Sequence, residues 1–314
     1  MAKKYRTIFI GTPEFAIPSL RALIADSDFE IIAAITQPDK KAGRKRILTP
    51  PPVKVEAEKN NIPVFQPEKI FLFLEEIKKM DPDVIVVAAY AQIVPKDMLE
   101  IPKHGCINVH GSLLPKYRGA SCIQASILNG DKETGITIMK MDAGLDTGPI
   151  IHKESIEIEE HDTAGSLYGK LSKLGGKIIA PAIEGYIEGG IVPEPQDDSQ
   201  SSYAPILKKD QGRIDWEKDA GYLEKFVRAM HPWPGAWTKT RSENKLLKIT
   251  RVGHKILNIN EHTVGQLFAR NNGLAVQCGK GALEIKKMQI EGRNEMETDK
   301  FLIGHRDYVG ILLK

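Results

Sequence analysis

In the stretch DVIVVAAY at residues 83–90, Asp83 is followed by a short, unbroken run of apolar residues, four of them β-branched. Such a run is typical of a strand buried on both faces of a parallel sheet. Two more apolar runs precede it, TIFIG at residues 7–11 and IIAAIT at residues 31–36. Segments with helical spacing separate the three runs. Strands that alternate with helices in this way predict a doubly wound, mostly parallel α/β sheet.

The same alternation extends on both sides of these runs. Apolar residues at helical spacing predict four helices, the last interrupted at its Gly pairs: residues 15–26, 53–60, 68–80 and 164–189. Alternating or continuous apolar runs predict four more extended segments: residues 63–65, 105–109, 135–141 and 150–158. The first part of the chain is therefore expected to form one α/β layer structure.

The composition changes after residue 190. Residues 192–206, VPEPQDDSQSSYAPI, carry Pro, Ser and Asp without an apolar period, as linkers do. Short strands separated by Gly or Asn follow, at residues 245–252, 263–269, 274–279 and 282–290. These patterns predict a Rossmann-like domain over residues 1–190, a linker over residues 191–207 and a small, OB-like β-barrel over residues 208–314.

The overall composition is that of a globular protein. The chain has 314 residues, of which 41% are hydrophobic and 27% are charged, so a disordered or collagen-like protein is excluded. We expect no membrane span and no signal peptide. Three widely spaced cysteines favour neither a disulfide framework nor a structural zinc site, and we expect a cytoplasmic protein.

The charge of the chain is unevenly distributed. Residues 209–314 hold 19 Lys and Arg against 13 Asp and Glu, whereas residues 1–208 hold 25 against 28. A basic final third suits a polyanionic partner, although ordinary scatter of surface charge would give the same count.

The residues whose side chains are most capable of catalysis cluster in INVHGSLLPKYRG at residues 107–119. Asn108 and His110 lie two apart at the end of a predicted strand, so their side chains point to the same face. An amide and an imidazole placed together could stabilise an oxyanion and move a proton. Asp146 follows in the Gly-containing loop MDAGLDTG at residues 141–148. Taken singly, a core histidine and a solvated loop aspartate are ordinary structural features.

Familiar catalytic and nucleotide-binding motifs are missing from the sequence. A dinucleotide fingerprint requires three spaced glycines, but the turn after the first strand has only Gly11, followed by Thr12 and Pro13. The sequence also has no G-x-S-x-G elbow, no H-E-x-x-H helix and no Walker loop. A tight strand-to-helix turn accounts for Gly11 without a ligand.

Two stretches together, NVHGSLLPKYRG at residues 108–119 and GITIMKMDAGLDTG at residues 135–148, resemble the folate-dependent formyltransferases. The resemblance implies the formyltransferase fold, 10-formyltetrahydrofolate as the formyl donor and no metal. It implies that the catalytic residues are Asn108, His110 and Asp146. Residues 90–99 resemble the segment that lines the family's pterin pocket. The family's folate-contacting loop is matched by Ser112, Leu113, Leu114 and Pro115.

Further stretches resemble the branch of this family whose acceptor is methionyl initiator tRNA. Residues 36–55 are similar to its basic insertion loop, which implies tRNA contacts by Lys40, Lys41, Arg44, Lys45 and Arg46. A solvated charge run is the usual explanation for such a segment, but Gly43 and the proline triplet at residues 50–52 suit a flexible loop on a rigid base. Residues 208–216 and 227–239 resemble this branch's second domain. In the latter, Trp233 and Trp237 are expected to be core residues.

The resemblance thus implies transfer of a formyl group to the α-amino group of methionyl initiator tRNA, giving formylmethionyl-tRNA for translation initiation. We expect the protein to act as a monomer. Two alternatives stay open. One is an enzyme of the same fold whose acceptor is a nucleotide sugar, glycinamide ribotide or water, which would not need the basic loop. The other is a non-catalytic RNA-binding protein, which would not need the catalytic trio.

Overall fold

The computed structural model describes residues 4–43 and 46–314. Arg44 and Lys45, two of the predicted tRNA contacts, lie outside the described residues. Within the described part of the chain, no helix combines the length and the apolar character that crossing a membrane requires.

The chain forms two compact units. The first extends to Cys122 and includes Thr134–Ile156 and Tyr168–Ala204. The second comprises Ile123–Glu133, Glu157–Leu167 and Pro205–Lys314. Short pieces of the first two thirds of the chain therefore belong to the second unit. The domain boundaries near residues 190 and 208 stay a prediction.

Strands and helices alternate along the first part of the chain. In chain order they are β1 (Tyr5–Gly11), α1 (Ile17–Ala25), β2 (Phe29–Ile35), β3 (Lys40–Ala42), β4 (Ile47–Thr49), α2 (Pro52–Lys59), β5 (Val64–Phe65), α3 (Leu74–Met80), β6 (Val84–Ala88), α4 (Lys96–Leu99), β7 (Cys106–His110), α5 (Cys122–Asn129), β8 (Glu133–Lys140), β9 (Ile150–Glu157) and α6 (Ala164–Ile187).

Seven of these strands form one sheet in the order β5-β2-β1-β6-β7-β8-β9. The pairs from β5 to β7 are parallel, and β8 runs antiparallel to β7. All five residues of β6 are buried, as expected for residues 83–90. Ile85 and Val87 pack on one face of the sheet with Ile8, Ile10 and Ile77. The predicted Rossmann-like, mostly parallel sheet is therefore confirmed.

Several elements differ from the sequence-based predictions. β3 and β4 pair as an antiparallel hairpin within the segment expected to be a loop. The helix predicted over residues 68–80 is divided into a 3₁₀ turn at Ile70–Phe73 and α3. The predicted interruption of the last helix is also wrong, because α6 continues without a break through Gly175 and Gly176.

The second unit is built mainly from the C-terminal part of the chain. Its elements are α7 (Ala220–Met230), β10 (Trp237–Lys239), β11 (Leu246–Val252), β12 (Leu267–Arg270), β13 (Gly273–Gln277), β14 (Ala282–Ile290), β15 (Met296–Glu297) and α8 (Thr298–Gly304). The strands form an antiparallel sheet in the order β10-β11-β14-β13-β12, with β15 beside β14.

The last five residues of the chain close this sheet into a barrel. Lys314 and Lys239 of β10 exchange backbone hydrogen bonds of 2.8 and 3.3 Å. On the opposite edge, Leu267 of β12 donates to the carbonyl of Ile311, and Gly310 donates to the carbonyl of Leu267. The C-terminal segment thus joins the two edge strands, as the predicted small β-barrel requires.

The tryptophans of the second unit differ in burial. Trp216 is buried and donates from Nε1 to Oγ1 of Thr238 at 2.9 Å. Trp237 is partly buried and donates to the carbonyl of Lys209. Trp233 is 56% exposed, so the expectation that it belongs to the core is wrong. The turn that follows α7 buries the neighbouring Pro234 instead.

Candidate active site

The candidate site begins where β7 ends. β7 lies between β6 and β8, and its last residue is His110. Ligands of open α/β sheets bind beyond the carboxyl ends of the parallel strands. Because side chains alternate along a strand, Asn108 and His110 project to the same face, as expected. Both side chains approach the carboxylate of Asp146.

His110 is the innermost of the three residues. Only 7% of its side chain is exposed. Its Nε2 lies 3.0 Å from the carbonyl oxygen of Tyr117, which can only accept, so this nitrogen carries a proton. Its Nδ1 lies 3.6 Å from Oδ2 of Asp146. Burial lowers the pKa of His110, but the Cys122 sulfur, the Asp146 carboxylate and the Tyr117 carbonyl together raise it to about 9.

Asp146 is held by its backbone and by its carboxylate. Its φ of 53° lies in the left-handed region, which aspartate tolerates better than most residues do. Oδ2 accepts a hydrogen bond of 2.8 Å from the backbone N–H of Gly119. Oδ1 lies 3.4 Å from Nδ2 of Asn108, a long contact that leaves the amide free to turn to a ligand. The Asp146 side chain is 16% exposed, so it is more accessible than His110.

The other carboxylate of this loop has a structural role. Oδ1 of Asp142 accepts hydrogen bonds from the backbone N–H of Gly144 at 3.0 Å and from Oγ1 of Thr147 at 2.7 Å. These bonds close the loop on itself. Of the two aspartates in MDAGLDTG, only Asp146 reaches Asn108 and His110.

Sequence reasoning missed a clamp on the backbone of Asp146. Nε2 of Gln196 donates to the carbonyls of Asp146 and Gly148, each at 2.8 Å. Oε1 of Gln196 accepts from Nε and Nη2 of Arg118, at 3.1 and 2.9 Å. Gln196 lies in the stretch predicted to be a linker, and no pattern in that stretch distinguishes it. Arg118, its partner, lies within the motif at residues 107–119, so the sequence does draw attention to this half of the clamp.

The predicted folate loop contains two structural and two accessible residues. Ser112 is buried, and its hydroxyl donates to the carbonyl of Lys116 at 2.7 Å. Leu114 is buried, and its N–H donates to Oγ1 of Thr137. Leu113 and Pro115 are partly exposed, so their side chains are the ones available to a ligand.

The segment expected to line a pterin pocket combines an exposed and a buried residue. Ile93 is 90% exposed, whereas Tyr90 is buried. The Tyr90 hydroxyl is a buried polar atom without a hydrogen-bond partner in the described part of the chain. The backbone of Ala89 and Ala91 is left-handed, which turns the chain sharply after β6. An exposed apolar side chain beside a sharp turn suits the edge of a ring-binding pocket.

The basic hairpin is exposed on the first unit. Lys40, Lys41 and Arg46 are all exposed, and Arg46 has a left-handed φ of 50° at the tip. Ile47 and Leu48 of β4 are 62% and 61% exposed. The hairpin therefore presents basic and apolar side chains together.

Both parts of the chain match known families. A model described as "Formyl transferase" matches residues 5–183, and one described as "Formyl transferase, C-terminal domain" matches residues 206–306. A solved N-formyltransferase from Helicobacter canadensis, in complex with folinic acid and dTDP-3-aminofucose, shares the fold. Its TM-score is 0.67 at 20% identity, over 90% of this chain and 98% of its own.

Two curated relatives are similar over almost their whole length. The methionyl-tRNA formyltransferase of Citrifermentans bemidjiense is 45% identical over 98% of this chain and 96% of its own. That of Caldanaerobacter subterraneus subsp. tengcongensis is 43% identical over 98% of this chain and 100% of its own. The two family models and these relatives show that the chain belongs to the methionyl-tRNA formyltransferase family.

Proposed function

We propose that the protein transfers the formyl group of 10-formyltetrahydrofolate to the α-amino group of methionyl initiator tRNA. The observation that carries the proposal is the convergence of Asn108 and His110 on Asp146, at 3.4 and 3.6 Å. Acyl transfer needs a donor to the oxyanion and a group that accepts the proton of the amine. These three side chains supply both.

In the proposed mechanism, Asn108 stabilises the oxyanion. The α-nitrogen attacks the formyl carbon, a C–N bond forms, and the carbonyl oxygen becomes negative. The amide N–H of Asn108, only weakly engaged with Asp146, donates to this oxygen. One such donor contributes roughly 10²–10³-fold in rate. The bond from the formyl carbon to N10 of the folate then breaks.

Asp146 takes the proton of the attacking nitrogen, directly or through a water molecule, and the proton ends on N10. His110 acts on Asp146 and does not contact the reacting atoms, because both of its ring nitrogens face protein groups. With a pKa of about 9 the imidazole is protonated at neutral pH, so its charge balances the Asp146 carboxylate. His110 thus orients Asp146.

The remaining parts of the proposal concern binding. Leu113 and Pro115, with the loop that includes Ile93, hold the folate. The hairpin of Lys40, Lys41 and Arg46 approaches the acceptor end, and the basic domain at residues 208–314 binds the phosphates of the tRNA body. We also propose a monomer that works in the cytoplasm, where its three free, buried cysteines stay reduced.

The direct test is formyl transfer to methionylated initiator tRNA, with methionylated elongator tRNA and small amines as alternative acceptors. We expect transfer to the initiator alone. The variants Asn108→Ala, His110→Ala and Asp146→Ala should each nearly abolish turnover while the thermal midpoint shows a folded protein. Near-wild-type rates for any two of them would contradict the site. Transfer only to small amines would contradict the acceptor.

A further inference from the structure

Tyr203 is an exposed aromatic residue on the strand-like segment that flanks the site. Its neighbours pair with the motif loop: Arg118 donates to the carbonyl of Ser202 at 2.8 Å, and Ala204 donates to the carbonyl of Arg118 at 2.7 Å. Arg118 and Tyr203 form a parallel bridge. The backbone on both sides of Tyr203 is therefore fixed, yet the residue is 62% exposed.

One part of the Tyr203 ring lies against Gly119. A Cβ placed on Gly119 would lie 2.8 Å from ring carbon Cε2 of Tyr203 and 2.7 Å from the carbonyl oxygen of Ala204. Gly119 also has a φ of +103°, which disfavours any side chain. Only glycine permits this close approach. The same Gly119 donates its N–H to the Asp146 carboxylate at 2.8 Å. Gly119 is therefore the residue between the Tyr203 ring and this carboxylate.

We propose that Tyr203 is the platform on which the terminal nucleobase of the acceptor tRNA stacks. This inference rests on the proposed function. The α-amine that meets Asp146 is joined through the methionyl ester to the ribose of the terminal nucleotide, so the base of that nucleotide must lie nearby. An anchored aromatic ring with most of its surface exposed suits a flat partner. Stacking of a base on an aromatic side chain contributes roughly 1–3 kcal/mol and tolerates any base.

The test compares two acceptors and two variants. The acceptors are methionylated initiator tRNA and the same RNA with no base on its terminal nucleotide. Tyr203→Phe keeps the planar ring, and Tyr203→Leu keeps apolar bulk without it. On the intact acceptor, we expect kcat/KM of Tyr203→Phe to stay within about twofold of wild type and that of Tyr203→Leu to fall about 5- to 150-fold.

The acceptor without the base separates stacking from other roles. Removal of the base should lower kcat/KM of wild type by the same factor by which Tyr203→Leu lowers it on the intact acceptor. Removal of the base should not lower kcat/KM of Tyr203→Leu any further. Equal losses for Tyr203→Leu on both acceptors would overturn the proposal and point to the methionine side chain or to support of Gly119. A matching rise in KM for the folate would also overturn it. If wild type does not formylate the intact acceptor, the proposed function itself fails.

Discussion

The charge on His110 links the site to the stability of the protein. Its surroundings raise its pKa from 6.5 to about 9, so the folded protein holds this proton more tightly than the unfolded chain does. The proton therefore stabilises the folded state fully below pH 6.5, and this contribution is lost as the pH rises through 9. A difference of this size corresponds to about 3 kcal/mol.

We expect the free energy of unfolding of wild type to decline between pH 6.5 and pH 9.5 by up to about 3 kcal/mol more than that of His110→Asn, because the variant lacks the titrating group. Urea denaturation at several pH values measures the difference. Parallel pH profiles for the two proteins would show that the environment of His110 does not favour its charged form.

Gln196 is expected to position Asp146 without touching a substrate. Gln196→Ala removes both donors to the Asp146 loop and the acceptor for Arg118. Gln196→Glu keeps the acceptor and removes only the donors. Two lost hydrogen bonds cost about 1–2 kcal/mol, and if Asp146 loses this much of its positioning in the transition state, both variants should lower kcat roughly 5- to 30-fold while KM for the folate stays unchanged.

The two Gln196 variants also distinguish positioning from support of the fold. If Gln196→Glu retains wild-type kcat, the anchor to Arg118 matters and the donors to the loop do not. A purely structural role would lower the thermal midpoint and leave the pH profile of kcat unchanged. A positioning role should shift this profile, because a misplaced Asp146 is no longer paired with His110.

The sequence predicted some of these residues better than others. Asn108 and His110 follow from the period of two along a strand, which needs no tertiary information. Asp146 lies far along the chain, and only a resemblance to a known family linked it to them. Gln196 acts through an amide side chain on a segment without periodicity. Its role depends on where the chain returns in space, which no local pattern encodes.

The long helix α6 shows how packing can override a local preference. A Gly pair weakens a helix by about 1 kcal/mol per residue relative to alanine, which is why a break was predicted. The structure explains why the glycines are there. A Cβ on Gly176 would lie 2.7–2.8 Å from atoms of Pro18, and one on Gly175 would lie 3.0 Å from Val109. The pair lets α6 lie close to α1 and to the sheet.

Two glycines of α6 should therefore respond oppositely to alanine. In Gly176→Ala the new methyl meets the backbone of Pro18, and overpacking of this kind costs about 1–3 kcal/mol. Gly169 is the matched control, because a Cβ there has nothing within 4 Å. Gly169→Ala should stabilise the protein by up to about 1 kcal/mol. Chemical denaturation measures both, and equal effects would contradict the packing explanation.

At the scale of the whole molecule, the sequence predicts the strands of the first sheet better than the way in which the C-terminal barrel closes. Buried parallel strands are continuous apolar runs, so the first sheet can be predicted from residues 83–90 and the apolar runs on either side of them. The barrel closes through Gly310–Lys314, which pairs with both β10 and β12. Five residues are too few to show a period. The hairpin of β3 and β4 is not predicted because each strand has only three residues and all three residues of β4 are exposed, so the apolar alternation of a half-buried strand does not develop.

The uneven charge of the molecule leads to a prediction about salt. Each phosphate contact makes the logarithm of RNA affinity fall with the logarithm of salt concentration, with a slope of about −0.7 to −0.9. Neutralising Lys40, Lys41 and Arg46 together should therefore make the slope of log kcat/KM for the tRNA against log salt concentration less negative by about 2–3. Affinity for the folate should change little, because it gains nothing from a row of phosphate contacts.

The matched control neutralises three exposed lysines elsewhere on the first unit: Lys59, Lys103 and Lys173. This variant has the same net charge as the hairpin variant. If both change the salt dependence equally, the tRNA responds to the overall charge of the molecule and the hairpin has no special place. If only the hairpin variant does, its basic side chains lie against phosphates during the reaction. An equal loss of folate affinity in the hairpin variant would contradict its assignment to the tRNA.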